Sequence, residues 1–361
     1  MDGFYAPFTG GRVKQNDQAG FLARPRHRAF PIVLMSGSCD SIQGIQLREQ
    51  LRHRTGFPSP ERGVNVVRVA TLPVMNDGGY DLRALDLDTP GIAAITGLLK
   101  QVFPNAPHFT EEVVHWQYVR NPDGHAVGFN AWKDGVLAAH YVTIPLLARV
   151  NGIEEKGLLS LNTATHPAHQ GKGLFTKLAN STYADGAVKG YGFVIGVANA
   201  NSTHGFTRKL GFQLVAPLQA MIGIGNLKMK ETDGAHYERL WSEAALRWRL
   251  AHPAFHYHLK RTDELDFILS ERTQFGASYV LGCFPKNTVG ERMIPSRPSG
   301  VPFKIWIGRD RTMKWNSRPY MNIPMRFRPS PLNLIFKDLT GNGRTLGVDQ
   351  VRFQAIDFDT L

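Results

Sequence analysis

Residues 159–178 read LSLNTATHPAHQGKGLFTKL, and their types and spacing could do chemistry. A strand-like run ends near Pro167, a short loop carries Gly171 and Gly173, and an amphipathic helical pattern starts at once. Glycine lets backbone approach a ligand closely and take angles closed to other residues. The first amides of the helix lack internal acceptors and carry the positive end of its dipole. Together they predict an anion cradle suited to a diphosphate, with Lys172 adding a cation at the rim. Other phosphate loops do not fit. There is no Gly-x-x-x-x-Gly-Lys-Ser/Thr pattern, and the run from Gly171 fails Gly-x-Gly-x-x-Gly. No Ser–His–Asp or Cys–His arrangement is legible, so a covalent acyl-enzyme is not expected. Only Cys39 and Cys283 occur, far apart, which leaves neither a disulfide framework nor a cysteine-rich metal site. No metal is expected.

The elements that must position this loop are readable on either side. Pro90–Val102 reads as a helix entered at Thr89, and Thr110–Val119 as a second with Thr110 as N-cap. His125–Trp132 and Val136–Val150 read as strands joined at Asp134-Gly135, a hairpin signal. A strand over Gly157–Thr165 leads into the loop, and a helix over Gly173–Val188 leaves it. Strand Phe193–Ala198, helix Ser202–Leu210 and strand Gln213–Ile222 follow. This is a mixed α/β layout of the α+β type: a central mixed sheet flanked by helices.

The 361 residues suffice for two domains with buried cores. We expect a poorly structured arm over 1–62, an anion-binding domain over 63–226 and a smaller β-rich α/β unit over 227–361. In the arm only Ile42–His53 suggests a helix, and a start codon placed too early would explain the segment equally well. Val64–Leu72 alternates as a strand does. The last unit opens with a helical stretch, Tyr237–Leu250. Strand-like runs follow at Phe255–Lys260, Leu265–Glu271, Ala277–Cys283, Phe303–Ile307, Leu332–Phe336 and Val351–Phe358. An echo links the two units: a helix ending His115-Trp116 with Pro122 nearby, and one ending Arg247-Trp248 with Pro253 nearby.

A 42% hydrophobic, 20% charged composition belongs to a globular chain. No apolar run approaches the roughly 18–20 residues of a membrane span, and no secretory cleavage pattern is present. A cytoplasmic protein is therefore expected. The net charge of +12 concentrates in residues 285–331, which hold ten Lys/Arg against Glu291 and Asp310. Such a stretch attracts anions or forms a solvated face. It carries no nucleic-acid reading motif, so nucleic acid is not an expected partner.

The loop and a second block resemble the GNAT superfamily of acyl-CoA N-acyltransferases. The family's coenzyme loop is Arg/Gln-x-x-Gly-x-Gly/Ala after a strand-ending proline. Here it reads Pro167, then Gln170-Gly-Lys-Gly173-Leu-Phe175, with phenylalanine replacing the small sixth residue. The second block is a strand running to Asn199, then a helix reading Phe206-Thr-Arg-Lys209-Leu-Gly211-Phe212. The resemblance covers about residues 64–225. It implies acetyl-CoA as co-substrate, held by Thr163, Ala164, Thr165, Gln170, Gly171, Lys172, Gly173, Leu174, Phe175, Asn199 and Phe206. It also implies two splayed strands that admit the pantetheine arm, and an oxyanion donor among the amides of Thr163–Thr165.

Where relatives carry a catalytic carboxylate this chain has Asn162. Where many carry an acidic tyrosine it has Phe206, with His204 two residues earlier as a substitute. Asn162 and His204 are thus the candidate catalytic residues, and His140 and His166 titrate in a useful range. The expected activity is direct acetyl transfer to a primary amine on a small or sugar-like acceptor, anionic if the arginines of 285–331 shape the cleft. A homo-oligomer is compatible with the sequence. Two alternatives stand: a non-catalytic acyl-CoA sensor, motivated by Phe206 and Phe175, and an aminoacyl transferase of the Fem type, motivated by the tandem echo.

Overall fold

The structure, a computed structural model, describes residues 75–230, 232, 234–273, 276–290, 293–295, 303–315, 319–328 and 330–358. The arm, the Ile42–His53 helix and the Val64–Leu72 strand lie outside the described residues. The chain is mixed α/β: sixteen described strands in one sheet, with five α-helices packed on it.

The first half opens with strands Met75–Asp77 (β1) and Tyr80–Ala84 (β2), then helix Thr89–Val102 (α1). The cap of α1 is Asp88 rather than Thr89, its carboxylate accepting from Gly91 N at 2.7 Å. A carboxylate there also faces the positive helix end, which a hydroxyl cannot exploit. Helix Glu111–Val119 (α2) is capped by Thr110 as expected. Val127–Lys133 (β3) and Val136–Val150 (β4) form the hairpin at Asp134-Gly135, both residues at positive φ (51° and 78°). β4 is buried almost throughout because helices cover both its faces, so its sequence reads as a nearly unbroken apolar run.

Ile153–Thr165 (β5) pairs antiparallel with β4, and helix Leu174–Val188 (α3) follows the glycine loop. Phe193–Ala198 (β6) then runs parallel to β5, paired only over Leu158–Ser160 and Val194–Gly196. Beyond Ser160 and Gly196 the strands part. The helix expected over Ser202–Leu210 is instead a short one, Ala200–His204 (α4), followed by a π-turn, Gly205–Lys209. Gly205 lies beneath the Phe175 ring, where an added Cβ would stand 2.9 Å from the ring.

The strand expected over Gln213–Ile222 is two, Gln213–Pro217 (β7) and Gln219–Ile224 (β8), broken at Leu218. Tyr237–Leu250 is likewise not one helix: Tyr237–Arg239 (β9) pairs with β4, and only Glu243–Leu250 (α5), capped by Ser242, is helical. Tyr257–Arg261 (β10), Leu265–Arg272 (β11), Ser278–Pro285 (β12) and Phe303–Asp310 (β13) follow. They pair antiparallel, antiparallel, then parallel, the order in which β3, β4, β5 and β6 pair. The two tryptophans aligned by the echo meet: Trp116 of α2 and Trp248 of α5 stack at 4.7 Å, and Trp248 Nε1 donates to Trp116 O at 3.1 Å.

The remaining strands are Tyr320–Asn322 (β14), Asn333–Asp338 (β15) and Val351–Gln354 (β16), the last ending in a 3₁₀ turn, Ala355–Asp357. Pairing crosses the expected boundary at 226 in both directions. β15 lies between β6 and β7, whereas β8 pairs with β13 and β14. β9 and β16 bridge β4 to β13. Because β7 runs into β8 through Leu218, the strand path returns toward its start and encloses a cleft. No helix among the described residues is long and apolar enough to cross a membrane.

Candidate functional site

The loop at 170–173 is exposed, and Gly171 and Gly173 both hold φ 75°, a left-handed angle that costs other residues. Gly173 is the N-cap of α3 and no side chain caps the helix, so the first-turn amides keep their donors for a ligand. Leu174 turns into the core, and Phe175 makes edge contacts with Tyr141 (5.9 Å) and Phe206 (5.2 Å). The large sixth residue is thus absorbed against Gly205 and does not plug the turn.

A cleft of about 1360 Å³ runs from this loop through the gap between β5 and β6. Asn162, Thr163, Thr165, Gln170, Gly171, Gly173, Leu174, Phe175, Asn199, His204 and Phe206 all border it. Two predicted residues do not: Ala164 of β5 is 2% exposed, and Lys172 projects from the loop into solvent. The Asn199 side-chain oxygen is occupied, accepting from Asn201 N and Ser202 N as the cap of α4. Phe206, 5% exposed, packs on Phe175 and Phe212 and has no proton to give.

Asn162 sits on a β-bulge. Residues 162 and 163 together face Tyr141, because the register passes from Val142↔Leu161 to His140↔Ala164. Its φ of 45° is left-handed, and its Nδ2 donates to Gln117 Oε1 at 2.6 Å and Tyr118 Oη at 3.2 Å. The bulge takes Thr163 out of the regular Cα pairing with β4. Behind Asn162 a buried chain continues. Burial pushes His140 down to about 3, so it stays neutral and is no base at neutral pH, contrary to its expected range. Its Nδ1–H then donates to Asn130 Oδ1 at 2.7 Å, and Nε2 accepts from Tyr118 O–H at 3.1 Å. His166 is spent locally, its Nδ1 accepting from Ala168 N at 3.1 Å.

The depressed His140 fixes a pH dependence. The unfolded side chain takes a proton near 6.5 and the folded one only near 3, so this stability is complete above 6.5 and is lost as pH falls through that window. From pH 6.5 to pH 5 the loss is about 2 kcal/mol. Urea unfolding at pH 7 and pH 5 should show a shallower pH slope in His140→Gln than in the parent. Equal slopes would contradict the assignment.

Sequence reasoning missed a second hydroxyl chain. Ser160, the last paired residue before the strands part, borders the cleft, and its Oγ lies 2.9 Å from Tyr141 Oη, itself 2.6 Å from Tyr183 Oη. Burial pushes Tyr141 up to about 12 despite those hydrogen bonds and raises Tyr183 well above its usual value, so both remain protonated donors. No motif marks these residues; only alternation on β4 and β5 puts Tyr141 and Ser160 on the face that α3 covers. Also missed were the far walls of the cleft, from Phe103 and Phe109 to Phe255, Glu271, Tyr279 and Phe358. The local cluster Phe255-His256-Tyr257 was their only sequence signal.

Among the described residues the basic stretch contributes a single cation to the cleft, fewer than expected. Of its described cations only Arg328 borders it, and its three nitrogens donate to Ile323 O, Leu218 O and Asn322 Oδ1, each at 2.8 Å. Arg309 and Arg311 face elsewhere, bonded to Asp349 and Gln350.

Residues 87–215 match the family model of the acetyltransferase (GNAT) domain. A search of curated proteins found no match. Among solved structures, a conserved Enterococcus faecalis protein described as a probable N-acyltransferase is similar, with TM-score 0.50, 10% identity, and 72% of this chain and 73% of that one covered. A GCN5-related N-acetyltransferase from Anabaena variabilis is similar at TM-score 0.50 and 12% identity, with the same coverage. At these identities the likeness is one of fold. The uncapped helix start and the forked strands lie on those same matched residues, so residues 87–215 are a GNAT-type acetyltransferase domain.

Proposed function

We propose that the protein transfers an acetyl group from acetyl-CoA directly to a primary amine. One observation carries the reading: an uncapped helix start opens into a cleft that continues between two parted parallel strands. Amides of residues 171–175 hold the diphosphate, and the unpaired edges beyond Ser160 and Gly196 hold the pantetheine arm. When bound, the coenzyme supplies the activated acyl carbon. The Thr163 amide stabilises the oxyanion, and Asn162, tied to Gln117 and Tyr118, fixes the bulge that aims it. Ser160 Oγ–H, backed by Tyr141 and Tyr183, faces the departing sulfur and bridges the amine's proton to it, with no net loss from the hydroxyls. His204, exposed at the cleft edge, relays to water.

Titration calorimetry with acetyl-CoA tests the reading; absence of heat at millimolar coenzyme would sink it. Ser160→Ala should lower kcat about tenfold or more with coenzyme affinity unchanged, as expected of a lost transition-state donor. Equal losses in affinity and turnover would instead make Ser160 a binding residue. The buried Phe206, in place of a phenol, favours one second reading, a non-catalytic acyl-CoA sensor. Thiol release across an amine panel separates the two, because a sensor binds coenzyme tightly and releases none.

A further inference from the structure

We infer that the acceptor is a primary amine carried on an aromatic body without an anionic group. This inference rests on the acyl-transfer reading of the same cleft. Beyond the strand fork the cleft reaches the sheet face opposite α3, where its walls come from both halves of the chain. There Phe109, Phe255, Tyr279 and Phe358 stand around it, with Phe103 at the mouth. The rings are coupled: Phe109 packs on Phe103 at 5.7 Å and on His108 at 4.5 Å, and His108 on Phe255 at 5.5 Å. Such walls reward a flat apolar ligand and attract a cation to their faces.

The polar groups select in the same direction. Glu271 is the one carboxylate bordering the cleft among the described residues, and it is exposed at the rim, where it can gather an ammonium. Arg328 is committed to three protein oxygens. Lys209 stands on the π-turn that abuts the start of α3, on the coenzyme side. Among the described residues an acceptor anion would find only these two cations, Arg328 with three of its five N–H groups already spent on neutral oxygens and Lys209 on the coenzyme side. A sugar needs many uncommitted hydroxyl partners. Ser270 Oγ has no donor left for one and a single free lone pair, since it already donates to Glu271 O at 2.7 Å and accepts from Tyr279 N at 3.0 Å.

The test pairs 2-phenylethylamine with glucosamine 6-phosphate. Calorimetry without coenzyme should detect the aromatic amine and not the sugar phosphate. With acetyl-CoA, kcat/KM should favour the aromatic amine about 30-fold or more, the value of burying one ring. Phe255→Ala and Glu271→Gln should each raise the KM for 2-phenylethylamine about tenfold, with the thermal midpoint and acetyl-CoA affinity unchanged. Equal or better use of the sugar phosphate overturns the inference. So does acetyl-CoA binding with no binding of 2-phenylethylamine, or an unchanged KM in both folded variants. Binding of 2-phenylethylamine without any binding of acetyl-CoA leaves the aromatic amine site standing and removes the acyl-transfer reading instead.

Discussion

Gly173→Val is expected to weaken coenzyme A binding about 100-fold or more while the fold survives. The residue holds φ 75°, where a β-branched side chain is strained by about 1–2 kcal/mol or more, and it is also the N-cap of α3. Relief of that strain rotates the amides of Leu174, Phe175 and Thr176 away from a common point. The site is open, the nearest atom to an added Cβ being Lys177 Cε at 4.0 Å, so no core clash confuses the result. Two or three charge-assisted amide bonds lost together correspond to about 3 kcal/mol, or two orders of magnitude in Kd. Lys172→Ala should cost only a few-fold, because one exposed cation is screened by water and salt. Calorimetry with coenzyme A, beside circular dichroism, reads both. An unchanged Kd in Gly173→Val would mean that the phosphates are held elsewhere.

Trp248→Ala is expected to lower stability by about 3–5 kcal/mol. Trp248 and Trp116 are 9% and 4% exposed, so removing one indole leaves a cavity under the other and takes away one of the two donors to the Trp116 carbonyl, which keeps Arg120 N at 3.3 Å. The thermal midpoint should fall on the order of 10 °C. Trp248→Phe should recover part of the loss, restoring the stack without the Nε1 donor. One calorimetric transition is expected in both variants, since β8, β9, β15 and β16 tie the two halves into a single sheet. Two separated transitions would show that the halves unfold independently.

Local signals explain why so much of the first half was legible. The Asp134-Gly135 turn, the Thr110 cap and the bounds of β6 each depend on residues within one turn or one strand. The loop from Gln170 to Phe175 was readable for the same reason, since its chemistry is carried by main-chain amides and a helix start. The errors cluster where a strand finds its partner far away. β9 is three residues whose partners lie in β4 and β16, and nothing in Tyr237–Arg239 itself distinguishes it from the helix that follows. β7 and β8 are contiguous, yet they pair with different strands far along the chain, β15 and β13, and so break at Leu218.

By itself, then, the sequence determined the glycine loop, the element order around it and the resemblance to the GNAT family. Each is set by spacing, caps and turns over a few residues. Only the tertiary structure decided that Phe175 lies inward, that Ser160 meets Tyr141 and Tyr183 at the fork, and that Arg309 and Arg311 face away from the cleft. It alone built an aromatic chamber from Phe109, Phe255, Tyr279 and Phe358. The physical reason is that a cavity wall is defined by side chains brought together across long loops. Their meeting depends on sheet register and strand exchange, which no short window of residues encodes.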